Sequence, residues 1–456
     1  MTDPKDGSRS GGKDGGAPAR GSGRAPGPRA DDQAARGQRP APKHGSRPAG
    51  GQGRTTTDAP AQRPPQQRGP RPQDAPAVER PAGEARRGRR RRGRKGGGAA
   101  APAASGPERA VGGFLEMGHQ GAGSLREAAL VSPDDARVPA RMIRELGLRP
   151  GDLVEGTARG DTLTEARLVN GGPVEGLADR RNFADLTAVH PDAPLVLGGS
   201  PNAITGRLLD LIAPVGQGQR GLIVAPPKAG KTTILRDIAI GLGAHPALTI
   251  ITCLVAERPE EVTELRRSIP GLVLAADLDM PSEDHIRVAH LGVEYAKRLV
   301  ETGHDVVILL DSLTRLARAH NLALRGGSRT MSGGMDAAAL HPVRQVFGAA
   351  RAAEEGGSLT ILATCLIDTG SKMDDLVYEE FKGTGNMEVH LDRSLAEKRL
   401  FPAVDISRSG TRREELLLDP QTLQHVIALR RKLAGVAPDQ ALSALLDALK
   451  RGRVDA

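Results

Sequence analysis

The stretch Ala225 to Thr232, APPKAGKT, follows an apolar run at 221–225 and opens a helical pattern over 232–242. A strand, a glycine-containing loop and a helix in that order make a phosphate cradle, because loop N–H groups and the positive end of the helix point at one anion. In such a loop Lys231 reaches the terminal phosphates and the Thr232 hydroxyl ligates Mg²⁺. The pattern GxxxxGK[ST] fails only at its first position, where Ala225 stands for Gly, and Lys228 adds a second cation. By itself the stretch also reads as a Gly/Pro turn beside a helix, so the flanking sequence has to decide.

Working outward, near-continuous apolar runs recur at 248–255, 306–310 and 359–366, with helical patterns over 284–302 and 338–354. Runs without polar alternation suit parallel strands covered on both faces, so residues 204–456 read as an α/β domain, closed by amphipathic helices over 422–450. Upstream, short β-like runs with turn signals from Val111 to about Leu195 predict a small β-barrel with one short helix at 139–145. Residues 191–203 read as a linker.

Composition sets the rest. The chain has 456 residues and a net charge of +9. Residues 1–100 hold 23 Lys and Arg against 9 Asp and Glu, a surplus of 14, so the remainder is acidic by 5. Those hundred residues carry 20 Gly, 14 Pro and no aromatic, too little apolar surface to offset the entropy of folding, which makes 1–107 a disordered basic tail. Cys253 and Cys365 lie in apolar runs, as buried thiols of a reducing compartment do. No signal-like or membrane-length apolar segment is present, and a cytoplasmic protein with no membrane partner is expected.

Further candidate residues follow from strand ends and loops. VVILLD ends in Asp311, an acid at the carboxyl end of a strand, where an open parallel sheet binds its ligand. CLVAERPEE puts Glu257 and Arg258 at the end of the strand after the phosphate loop, and a carboxylate there can polarise an attacking water. It also reads as a surface ion cluster with Arg258 or Arg266. SRSGTRREE holds Arg408, Arg412 and Arg413, either a solvated basic loop or the source of an arginine finger. The loops RGGSRTMSGGMD (325–336) and DTGSK (368–372) offer hydroxyls, backbone N–H groups and cations to nucleic-acid phosphates, or are plain surface loops.

Six segments, GLIVAPPKAGKT, ERPEEVTE, ILLDSLTRLARA, GGSLTILAT, LIDTGSKMDDLVYEEFKGTGNME and FPAVDISRSGTRREELL, together resemble the bacterial transcription termination factor Rho family over 221–417, with a weaker match back to Val111. The resemblance implies a RecA-like P-loop ATPase domain preceded by a small OB-fold, cold-shock-like barrel at 108–190. It implies a homohexameric ring that hydrolyses ATP with Mg²⁺, moves 5′ to 3′ along single-stranded nascent RNA and releases it from RNA polymerase, with elongation factors such as NusG as partners. The nucleotide would then contact Pro227, Lys228, Ala229, Gly230, Lys231, Thr232 and Thr233, with Phe401 stacked on adenine and Mg²⁺ on Thr232 and Asp311. Glu257, Arg258 and Asp311, followed by Arg315, would be catalytic, and Arg412 would serve the neighbouring subunit as its finger. RNA would meet Phe114 in the barrel and two channel loops, at Arg329, Ser332 and Gly333 and at Thr369, Gly370, Ser371 and Lys372.

The chain departs from the family at several of these places. Ala256 precedes Glu257 where an acid is frequent, and Arg329 stands where Lys is common. The barrel motif GFGFLR reads VGGFLE, so Gly112 replaces a stacking Phe and Glu116 replaces an Arg; an aromatic is also lost near Arg137, and the helical N-terminal extension of many members is absent. Each base–aromatic stack is worth about 1–3 kcal/mol, so a blunted pyrimidine preference is expected, with the basic tail compensating by salt-sensitive capture of RNA. Two other readings compete: a ring ATPase acting on other cargo, and an RNA-binding protein that uses ATP only structurally.

Overall fold

The computed structural model describes residues 106–177, 180–199, 203–324 and 333–452. The basic tail and the roles expected of it lie outside the described residues. The first domain runs β1 (Glu108–Met117), β2 (Gly123–Arg126), β3 (Arg137–Val138), α1 (Ala140–Leu146), β4 (Leu153–Arg159), β5 (Thr162–Val169) and β6 (Gly172–Pro173). Its sheet order is β3-β2-β1-β4-β5-β6, and the bridge Arg137 to Thr162 joins β3 to β5 and closes a barrel. Leu115, Leu125, Val138, Ile143, Val154 and Leu163 fill it. The short helix falls where its pattern predicts and ends at Gly147, whose φ of +64° suits a residue without Cβ.

The second domain adds β7 (Ala188–Val189), α2 (Ile204–Ile212), β8 (Arg220–Ala225), α3 (Lys231–Leu242), β9 (Leu248–Glu257), α4 (Pro259–Ser268), β10 (Leu272–Asp277) and α5 (Ser282–Val300). It continues through β11 (Asp305–Asp311), α6 (Leu313–Ala323), α7 (Ala337–Phe347), β12 (Arg351–Ala353), β13 (Ser358–Leu366), α8 (Lys372–Lys382), β14 (Met387–His390), α9 (Arg393–Glu397), β15 (Gly410–Thr411), α10 (Pro420–Leu433) and α11 (Pro438–Lys450). The sheet order is β10-β9-β11-β13-β8-β14-β15, parallel up to the antiparallel edge strand β15. Leu222 and Val224 pack into the layer of α5, α6 and α7, while Ile223 and Ala225 pack into the layer of α2, α3 and α11. Both faces are covered, which is why these strands lack polar alternation.

Three expectations need correction. The helix expected over 338–354 ends at Phe347, capped by Gly348, and Arg351–Ala353 pairs with both β13 and β7. The stretch 191–203, read as a linker, carries Leu195 and Leu197, 2% and 1% exposed, in the core of the α/β domain. β10 and β14, short runs bounded by turns, were not among the predicted strands. The buried cysteines are as expected: both thiols are free, and burial pushes each up to about 12. No described helix is long and apolar enough to cross a membrane.

The barrel is anchored to α5 by buried charge. The Arg180 guanidinium donates to both oxygens of Asp152 beside β4, while Glu301, at the end of α5, accepts from the Phe183 amide at 2.9 Å and lies 2.9 Å from Arg298 and 2.8 Å from Arg149. Gly151, at φ +83°, lies so close to α5 that a Cβ there would sit 2.4 Å from the Glu294 carbonyl carbon. Removing one partner of a buried ion network costs more than the network contributes, since a desolvated charge is left behind. Glu301→Ala is therefore expected to lower unfolding stability by about 3–5 kcal/mol, measured by urea denaturation. A loss below about 1 kcal/mol would show that this junction does not hold the domains.

Candidate active site and RNA-facing loops

The phosphate loop leaves β8 at Ala225 and turns into α3 through Gly230, whose φ of +93° is open to glycine and strained for other residues. Lys228 also adopts a left-handed conformation. Pro227, Ala229, Thr232 and Thr233 complete the turn, and the unpaired N–H groups at the start of α3 make it a ready anion site.

Lys231 points across the carboxyl edge of the sheet. Its ammonium donates to Glu257 Oε1 at 2.7 Å and to the two Asp311 oxygens at 2.6 and 2.7 Å. β9 and β11 are neighbours with Asp311 in register with Leu254, so both strand-end acids come to one spot. Between β9 and β10 the register slips, and Ala256, at φ +54°, bulges out; the bulge re-aims Glu257 at Lys231. Burial, and then the charge of Asp311, hold the Glu257 carboxyl above the usual range against the pull of Lys231 and Arg315. Burial works to lower the Lys231 ammonium, but Asp311 and then Glu257 outweigh it and raise it.

The sequence reading missed how these acids are oriented. The Thr364 hydroxyl, near the end of β13, donates to Asp311 Oδ1 at 2.6 Å; a hydroxyl near the carboxyl end of a largely apolar strand was the available signal. Arg315, one turn into α6, donates to Glu257 and to the Ala256 carbonyl. Thr232 donates to Glu261 Oε2 at 3.2 Å. Arg258 is exposed and pairs with Glu261 at 3.4 Å rather than joining the Lys231 cluster. Phe401, 46% exposed, lies where a Cβ at Gly230 would meet its ring at 3.6 Å, and the two line a cavity of about 150 Å³ with Thr233, Thr205 and Asp237.

Arg412 is not brought to its own chain's phosphate loop. It follows β15 at the sheet edge, exposed, beside a cavity of about 330 Å³ shared with Arg408 and Arg430. Arg329 and Ser332 lie outside the described residues. The other loop residues do converge: Gly333, at φ +85°, sits so close to the Lys372–Met373 backbone that a Cβ there would lie 2.9 Å away. Thr369 donates to Asp374 at 2.6 Å and Ser371 to Thr369 at 3.3 Å, a turn that presents Gly370 and an exposed Lys372 at the start of α8. Asp374 also receives both arms of Arg318 from α6, at 2.8 and 2.6 Å.

Phe114 is more buried than a stacking residue is expected to be. It is 4% exposed and edge-on to Tyr295 of α5, with centroids 5.1 Å apart, so it packs the domain junction while lining a cavity of about 690 Å³ with Val111, Gly112 and Glu155. Glu116, the substitution in the same motif, bridges Arg126 of β2 and Arg287 of α5 at 2.5 and 2.9 Å.

The comparisons agree with this architecture. Residues 111–176 match the Rho termination factor RNA-binding domain, and 206–411 match the nucleotide-binding domain of the ATP synthase alpha/beta family. A solved ATPase from the type III secretion system of pathogenic bacteria shares the fold, at 24% identity and a TM-score of 0.51 over 64% of this chain and 88% of that one. Transcription termination factor Rho of Streptosporangium roseum is 54% identical over 343 residues, 75% of this chain and 88% of that protein. Rho of Thermotoga maritima is 49% identical over 348 residues, 74% and 82% respectively. Identity near one half over about three quarters of the chain, with the Rho RNA-binding domain matched at 111–176, makes this chain a member of the transcription termination factor Rho family.

Proposed function

We propose that this chain is an RNA-dependent ATPase that terminates transcription, working as a homohexameric ring that moves 5′ to 3′ along nascent RNA in the cytoplasm and releases it from RNA polymerase. Elongation factors such as NusG belong to the same reading. The observation that carries it is the Lys231 ammonium held between Glu257 and Asp311 at the head of α3, in a chain with a Rho-type RNA-binding barrel.

Terminal phosphates of ATP draw Lys231 away from the two carboxylates, and the phosphate loop supplies backbone N–H donors. Glu257, freed and still aimed by Arg315, takes the proton of the water that attacks the γ-phosphorus as the bond to ADP breaks. The Thr232 hydroxyl and the Asp311 carboxylate are hard oxygen donors that fit Mg²⁺, with Thr364 orienting Asp311. When bound there, such an ion would neutralise charge on the phosphates. Phe401 beside Gly230 stacks on adenine, and the exposed Arg412 reaches the γ-phosphate of a neighbouring subunit. α6 begins directly after Asp311 and grips α8 through Arg318 and Asp374, so a shift at the nucleotide is passed to Lys372 on the RNA side.

Turnover measured with no polymer, poly(C), mixed-sequence RNA and single-stranded DNA should rise with RNA alone. Equal rates in all four would reject RNA as the activating ligand. Glu257 must be ionised to accept a proton, and burial and Asp311 raise it, so the acid limb of kcat against pH should lie above the ordinary carboxylate range. Glu257→Ala should lose at least about 100-fold in kcat and lose that limb; a limb at ordinary carboxylate pH would point to another base. Arg412→Ala should lose about 10³-fold in kcat while RNA affinity is spared. Mixing Arg412→Ala with Lys231→Ala chains should restore turnover at interfaces that combine an intact Lys231 with an intact Arg412, and no recovery would place the finger elsewhere.

A further inference from the structure

Between α5, α7 and the start of β12 lies a cavity of about 720 Å³, apart from every site residue above. Three cations line it: Lys297 of α5, Arg344 of α7 and Arg351 of β12. Glu294 is the one acid of its lining, 2.6 Å from Lys297. His341 and Gln345, both exposed on α7, add polar groups to the rim.

Two of these cations have unused capacity. Arg344 donates through Nε to Glu380 at 2.6 Å, and its terminal nitrogens make no hydrogen bond among the described residues. Arg351 has no carboxylate partner among the described residues; its Nε donates to the Ala349 carbonyl at 3.2 Å and its guanidinium lies 4.6 Å above the Phe183 ring. Burial, and then the charge of Arg220, lower its pKa. A half-buried guanidinium facing another cation, without an acid, is a site short of an anion.

Position and chemistry narrow the anion. Phe183 follows the barrel and the junction, while α7 follows directly on the 325–336 segment expected to meet RNA. From Asp336 to Arg344 the helix rises roughly 12 Å, at about 1.5 Å per residue. The Phe183 ring is 5% exposed and lies under Arg351, so it offers no open face to a base. We infer that this cavity is a station for the RNA backbone, in which Arg344, Arg351 and Lys297 hold phosphodiester groups between the barrel and the loop that opens α7. Contacts of this kind add affinity and register without reading sequence. The inference rests on the RNA-binding reading of the chain.

The test is the salt dependence of Kd for a mixed-sequence single-stranded RNA on the full chain. Each phosphate contact removed should flatten the slope of log Kd against log salt by about 0.7. Arg344→Gln with Arg351→Gln should therefore reduce it by about 0.7 to 1.4, with RNA-independent ATP hydrolysis and the melting temperature unchanged. Should that pair disturb packing around Phe183, Gln345→Glu places a like charge on the exposed rim and should raise the Kd at low salt several-fold. Unchanged slope and affinity in well-folded variants would overturn the inference. A second arm titrates inorganic pyrophosphate into a Lys231→Ala chain and follows its phosphorus resonance. Broadening that Arg344→Gln with Arg351→Gln abolishes, beside an unaltered RNA slope, would assign the cavity to free phosphate compounds and overturn the RNA assignment. Failure of the wild-type chain to bind RNA would instead strike the functional reading itself.

Discussion

One ammonium between two buried carboxylates organises the α/β domain. Asp311 and Glu257 are 0% and 1% exposed, and two like charges buried side by side repel each other. Lys231 between them turns that repulsion into a closed network. The strand order follows from the same need, because a lysine after β8 meets acids ending β11 and β9 only when one parallel sheet brings those strand ends to a common edge. The network is also the ligand-free form of the site proposed to be catalytic. In the mechanism proposed above, a phosphate that takes Lys231 would free both carboxylates in a single movement.

Around this centre the structure joins distant parts through paired charge. Arg315 ties Glu257 to α6, and Arg318 ties α6 to the helix that starts with Lys372. On the other side of α5, Glu301 collects Arg149, Arg180 and Arg298, and Glu116 reaches Arg287. The barrel therefore sits on the same helix that packs under β9 and β11. The Glu116 substitution removes a cation from the barrel motif and adds a strut at the domain junction.

Much of the architecture was legible in the chain because periodicity reports burial. The runs at 221–225, 248–255, 306–310 and 359–366 lack polar alternation because helices cover both faces of the sheet, and each is a strand. The phosphate loop was legible because Gly230 and Lys231 act through backbone geometry and reach, which local sequence determines. The helix read through Phe347 into 351–353 failed for the converse reason. Ala and Arg are good helix formers, and only pairing with β13 and β7 makes Arg351–Ala353 a strand. Phe114 likewise carried the right residue type for stacking, and its burial against Tyr295 depends on a helix about 180 residues away.

The sequence by itself determined the acidic α/β body with its basic tail, the phosphate loop, and the identity of the acids that could serve it, because these depend on composition and on residues adjacent in the chain. Only the tertiary structure decided which groups meet. The bulge at Ala256 aims Glu257, Thr364 orients Asp311, Gly333 lies against Lys372, and Arg351 and Lys297 share a cavity with Arg344. Those pairings depend on strand order and helix packing, and such long-range geometry leaves no period or spacing in the sequence to read.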